Sequence, residues 1–79
     1  MTNQTPPLSQ RKYEIAQRIK QARRQKGWTQ QQTANFLDCS RKRYNSMERG
    51  LTELGATELD RLAVALSVPV ETFFEKPEA

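Results

Sequence analysis

Residues 29–50 read TQQQTANFLDCSRKRYNSMERG, and the rest of the chain is understood from this stretch. Thr29 is a polar cap ahead of a helical pattern that ends near Leu37, and Asp38-Cys39 breaks it. Ser40 then offers a side-chain oxygen to the free amides of a new helix, the role of an N-cap. From Ser40 to Arg49 the only apolar residues are Tyr44 and Met47, three apart and so on one face. Arg41, Lys42, Asn45 and Ser46 fall on other faces, toward the helix start. Two short helices joined by a tight turn, the second apolar on one side and cationic on the other, suit the major groove of duplex DNA.

Upstream, Ser9 is the expected N-cap of a long first helix reaching about Lys26, with Gly27 as its left-handed stop. Ile15, Ile19 and Ala22 form its buried stripe at i, i+4 and i+7. Its opposite side carries Arg11, Lys12, Arg18, Lys20, Arg24 and Lys26. Trp28 anchors the corner into the second helix, about 30–37, whose inward residues are Ala34 and Leu37. Phe36 points well away from Leu37, to the core edge or partly to solvent. Downstream of Gly50, residues 51–55 are a loop. A fourth helix runs from about Ala56 to Ser67, with Leu59, Leu62, Ala63 and Leu66 as its stripe and Thr57 as an alternative cap. Pro69 opens a short fifth helix, Val70 to Glu75, in which Phe73 plugs the core and Phe74 is left for a partner. Residues 1–8 read as a mobile arm and 76–79 as a tail around one domain over 9–75. No strand pattern or repeat is present, so the expected class is all-α.

Composition narrows the function. The 79 residues have room for one small core. Residues 1–50 carry 11 Lys/Arg and 3 Asp/Glu, a balance of +8, whereas residues 51–79 carry 2 and 6, a balance of −4; together they give the net +4. A basic front half points to a polyanion partner, with the acidic rear turned away; a merely solvated basic helix surface is the plain alternative. With no histidine and one cysteine there is no zinc set and no internal disulfide, and no cofactor or metal is expected. Neither a membrane-length apolar run nor a signal-peptide pattern appears, so the expectation is a soluble, cytoplasmic protein.

From Ile15 to Phe74 the chain resembles the lambda-repressor-like helix-turn-helix family, also called Cro/cI-type or XRE-type. The residues that carry the resemblance are Arg23, Gly27-Trp28-Thr29-Gln30, Ala34, Leu37, Ser40, Glu48-Arg49-Gly50, and then Leu59, Ala63, Leu66, Val68 and Phe73. The resemblance implies a compact five-helix domain whose second and third helices form the helix-turn-helix. It departs from the family pattern at Thr33, where leucine is usual, and at Leu54-Gly55, where Pro-Ser is frequent. Cys39 stands where a small aliphatic residue is usual and reads as a buried hydrophobe.

Position by position, the resemblance implies roles. Arg41 and Lys42 match base-reading positions, where Arg and Lys most often meet guanine O6 and N7; phosphate contact alone is the plainer reading. Ser46 matches another base-facing position, and Asn45 has adenine or the DNA backbone as its partner. Thr29, Gln30, Ser40 and Arg43 are the candidate phosphate contacts, and Gln30 also braces the first recognition residue. Arg23 and Glu48 match a structural ion pair joining the first helix to the end of the third. No residue is assigned a catalytic role, because nothing activates Cys39 or a serine. The function implied is a sequence-specific regulator binding double-stranded DNA as a homodimer, with Val68, Val70 and Phe74 at the dimer contact. The alternative is an antitoxin or co-regulator of the same fold, bound chiefly to a protein partner.

Overall fold

A computed structural model describes residues 8–75. It contains four α-helices, α1 (Leu8–Lys26), α2 (Gln30–Phe36), α3 (Arg41–Glu48) and α4 (Ala56–Leu66), followed by a 3-10 helix at Val70–Phe74. Among the described residues there is no strand. Residues 1–7 of the expected arm and the tail at 76–79 lie outside the described residues.

The helix limits follow from local chemistry. The Thr29 hydroxyl accepts from the Gln32 amide at 3.0 Å while the Gln32 side chain accepts from the Thr29 amide at 2.8 Å, a reciprocal capping box that opens α2. Ser40 opens α3 by accepting from the Arg43 amide at 3.0 Å. Between them Asp38 adopts φ +57°, and the Cys39 and Asp38 amides return to the Ala34 and Asn35 carbonyls. This is a Schellman turn with aspartate where glycine is commonest. Gly50 ends α3 at φ +74°, and a Cβ there would lie 3.0 Å from the Tyr13 Cα, so α1 and α3 approach through a site only glycine fills.

Two expectations change and one holds. α1 already includes Leu8, so Ser9 lies within its first turn and does not cap it. α4 starts at Ala56 as expected, with Gly55 and not the alternative Thr57 as its N-cap, and the Gly55 amide is taken by the Glu58 carboxylate at 3.1 Å. The expected fifth α-helix is the 3-10 segment, whose Thr72 amide bonds the Pro69 carbonyl. Five residues between extended Pro69 and extended Glu75 are too few for cooperative α-helical bonding, so the tighter i→i+3 pattern holds them.

Ile19, Ala22, Ala34, Leu37, Tyr44, Met47, Leu62, Ala63, Leu66 and Phe73 form the core, with Trp28, Cys39, Leu54, Val68 and Val70 packed against it and partly buried. Thr33 is buried like the apolar residue it replaces, and its hydroxyl donates to the Thr29 carbonyl at 2.9 Å, so it brings no unpaired polar atom inside. Phe36 does not fill the space: it stays part-exposed, 6.0 Å from the Trp28 ring, with the Arg61 guanidinium over its face. Helices of seven and eight residues are marginal in water, so α2 and α3 depend on this packing for their existence.

Candidate nucleic-acid interface

α3 is anchored along one face. Tyr44, Met47 and Glu48 are buried, and residues 42, 46 and 49 stand opposite them at helical spacing. Arg41, Lys42 and Arg49 are exposed, and none makes an ion pair or side-chain hydrogen bond among the described residues. The helix therefore presents cations, not apolar surface, to the outside. The sequence reading does not single out Arg49, whose one signal is its i+7 relation to Lys42.

The anchor is an ionic network. Arg23 donates to Glu48 through Nε to Oε2 at 2.5 Å and through Nη2 to Oε1 at 3.2 Å. Its remaining Nη1 donates to the Trp28 carbonyl at 2.7 Å. The Tyr44 hydroxyl donates to Glu48 Oε2 at 2.5 Å, and Gln30 Nε2 donates to Oε1 at 3.1 Å. Four donors thus fill the four acceptor positions of one carboxylate. Burial alone would raise the Glu48 carboxyl, but the hydrogen bonds from Arg23, Tyr44 and Gln30 outweigh it and hold it below its usual range. Burial and the Glu48 charge together push the Tyr44 hydroxyl far above its usual range, so it stays a donor. The ion pair implied for Arg23 and Glu48 is therefore present, with two further partners.

Other side chains lie differently from the sequence reading. Gln30 does not brace Arg41; its amide bonds Asn45 Oδ1 at 3.1 Å as well as Glu48. Asn45 is partly buried at the margin of the exposed face, and Ser46, although on that face, is partly buried too. Arg43 turns to α4 and pairs with Glu58 at 2.8 Å, which holds the Glu58 carboxyl below its usual range. Arg11 and Arg18 turn to the rear of the molecule, donating to the Phe74 and Glu75 carbonyls. Val68 and Val70 are partly buried against the core, whereas Phe74 is 45% exposed. No helix among the described residues is long and apolar enough to cross a membrane. No three His, Cys, Asp or Glu side chains among the described residues are grouped to hold a metal ion.

A helix-turn-helix family model matches residues 19–73, a span from the middle of α1 to the 3-10 segment. Among solved structures, the restriction-modification controller protein C.AhdI from Aeromonas hydrophila is 26% identical, with a TM-score of 0.73 over 78% of this chain and 94% of that one. The hypothetical transcription factor NHTF from Neisseria is 22% identical, with a TM-score of 0.77 over 98% of this chain and 90% of that one, a likeness of fold alone. A comparison with curated proteins finds no match.

Proposed function

The chain belongs to the lambda-repressor-like helix-turn-helix family of DNA-binding regulators, and from that premise we propose that it regulates transcription as a homodimer on a two-fold symmetric operator. Each α3 enters a major groove, and two such helices on one side of a duplex lie roughly 34 Å apart. Arg41 and Lys42 read base edges with Asn45 and Ser46. Thr29, Ser40 and the backbone amide of Gln30, at the starts of α2 and α3, approach phosphates, and Arg49 adds a phosphate contact at the helix end. Arg43 joins them only by leaving Glu58. Val68, Val70 and Phe74 supply the dimer contact, with exposed Phe74 at its centre.

The exposure of Arg41 and Lys42, with no side-chain partner among the described residues, carries this reading. Two exposed cations at the start of a helix whose back is locked into the core gain most from a polyanion. The experiment is selection of bound sites from random duplex DNA. An enriched inverted repeat is expected, and R41A/K42A should lose sequence preference while keeping salt-sensitive binding. If R41A/K42A selects the same sites as the unaltered protein, the base-reading assignment is wrong. A monomer in sedimentation, both free and on the selected site, would remove the homodimer.

A further inference from the structure

We infer that the homodimer is closed by a reciprocal seat: the Phe74 ring of each protomer fills a hollow on its partner, bounded by α1, the loop after α3 and the first half of α4. The inference deepens the reading of Phe74 as a dimer contact and rests on the homodimer proposed above. The hollow measures about 160 Å³. Ile15, Leu54 and Leu59, partly buried with one side on the core, give it apolar walls, and Lys12, Thr52 and Glu53 complete the lining. That size suits one phenyl ring, since a cavity of about 150 Å³ lined by apolar side chains holds benzene. Three aromatic residues are exposed among the described residues: Tyr13, Phe36 and Phe74. Phe36 already meets the Trp28 ring and the Arg61 guanidinium, and Tyr13 carries a hydroxyl that apolar walls would leave unpaired. Phe74 has neither tie.

The placement of knob and hollow points to a second copy of this chain. Arg11 and Lys12 are consecutive in α1; Arg11 Nη2 donates to the Phe74 carbonyl at 3.3 Å, while Lys12 lines the hollow. The two features are therefore neighbours on one patch, yet Phe74 stays 45% exposed beside the hollow without filling it. A two-fold axis between such neighbours puts each ring into the other's hollow, the self-complementary patch that a C2 interface requires. Charge agrees. Residues i and i+3 share one side of a 3-10 helix, so exposed Glu71 travels with Phe74 toward the partner's Lys12. Neither Glu71 nor Lys12 has a side-chain partner among the described residues, and partly buried Lys12 lies nearer a seated ring than exposed Glu53. The wall at Thr52–Leu54 leaves α3 through Gly50, so a seated ring also braces the end of α3 and fixes the distance between the two α3 helices.

Sedimentation equilibrium, free and on the selected operator, tests this with F74A, K12E, E71K and K12E/E71K. The unaltered protein should be a dimer. F74A removes a ring outside the core and should fold, but it should raise the dimer dissociation constant about a hundredfold or more, one aromatic anchor being lost at each of two seats. K12E and E71K should each raise it about threefold or more, and K12E/E71K should bring it back. In a dimer mixed from isotope-labelled and unlabelled chains, filtered NOE spectra should place the Phe74 ring protons of one chain against the methyl groups of Ile15, Leu54 and Leu59 of the other. These spectra and the charge exchange carry the test if F74A does not fold. F74A dimerising as tightly as the unaltered protein, no recovery in K12E/E71K, or a Phe74 ring meeting other residues across the interface would each overturn the inference and leave the homodimer standing. A monomer both free and on the operator removes the homodimer, and the inference falls with it.

Discussion

The two flanks of α3 are each tied to a neighbour by one arginine–glutamate pair, and the pairs differ in almost everything except their chemistry. On the inner flank Arg23 and Glu48 meet at 2.5 Å with side chains 10% and 2% exposed; on the outer flank Arg43 and Glu58 meet at 2.8 Å with side chains 43% and 28% exposed. The inner carboxylate is filled by donors from three residues, and the inner guanidinium also holds the Trp28 carbonyl. At similar separations, water makes the difference. Exposed partners exchange one set of hydrogen bonds for another, whereas buried ones have nothing to exchange with. The inner pair is thus a structural joint and the outer one a surface contact that a competing anion can open.

Breaking the inner joint should have the largest effect. E48A leaves the Arg23 guanidinium buried without its charge partner and is expected to cost about 3–5 kcal/mol. That is a fall of roughly 12–40 °C in Tm for a domain of this size, read by thermal or urea unfolding. R23M/E48L, which removes both charges, should be clearly more stable than either single change. A double variant no better than E48A would mean that the network contributes more than the sum of its charges.

The same flank gives stability a pH profile. Glu48 has a folded pKa below its ordinary 4.5, so its contribution is present above that value and lost as pH falls through the folded one. Tyr44 runs the other way: its folded pKa is raised above the ordinary 10.0, so its contribution is complete below that pH and declines above it as the unfolded chain ionises. The urea midpoint should therefore hold near neutrality and fall on both sides. Y44F should weaken the alkaline fall, and absorbance at the phenolate band should show Tyr44 ionising only as the chain unfolds. An alkaline fall unaltered in Y44F would sever the link to this network.

The smallest effect belongs to the outer pair. R43A or E58Q should change stability by about 0.5 kcal/mol or less, with a change that shrinks as salt is added. In a DNA-binding titration, E58Q should tighten salt-sensitive binding by releasing Arg43. Unchanged binding would keep Arg43 off the phosphates.

What could be read from the chain follows the range of the interactions. Thr29 and Ser40 were legible as caps because each reaches an amide three residues away. Gly27 and Gly50 were legible as stops, since both take positive φ. The stripe Leu62, Ala63 and Leu66 was legible because α4 places one face against everything else. The fifth helix was misjudged because Pro69 and apolar residues mark a helical turn but not its type. The sequence places Arg11 and Arg18 on the basic side of α1, and nothing local points to their bonds with the Phe74 and Glu75 carbonyls, 63 and 57 residues away. For the joint between Arg23 and Glu48, family resemblance supplied what neither side chain announces.

By itself, then, the chain determined its helices, their caps and the cationic start of α3, because these depend on neighbours within one or two turns. Only the folded structure decided which polar groups meet. It spent both hydrogens of Gln30 inside the protein, turned the oxygen of Asn45 inward, gave Arg43 to Glu58 and left Arg41 and Lys42 without partners among the described residues. The physical reason is that a hydrogen bond between elements depends on their relative placement to within a few tenths of an ångström. Packing sets that placement, and no periodicity in the sequence encodes it.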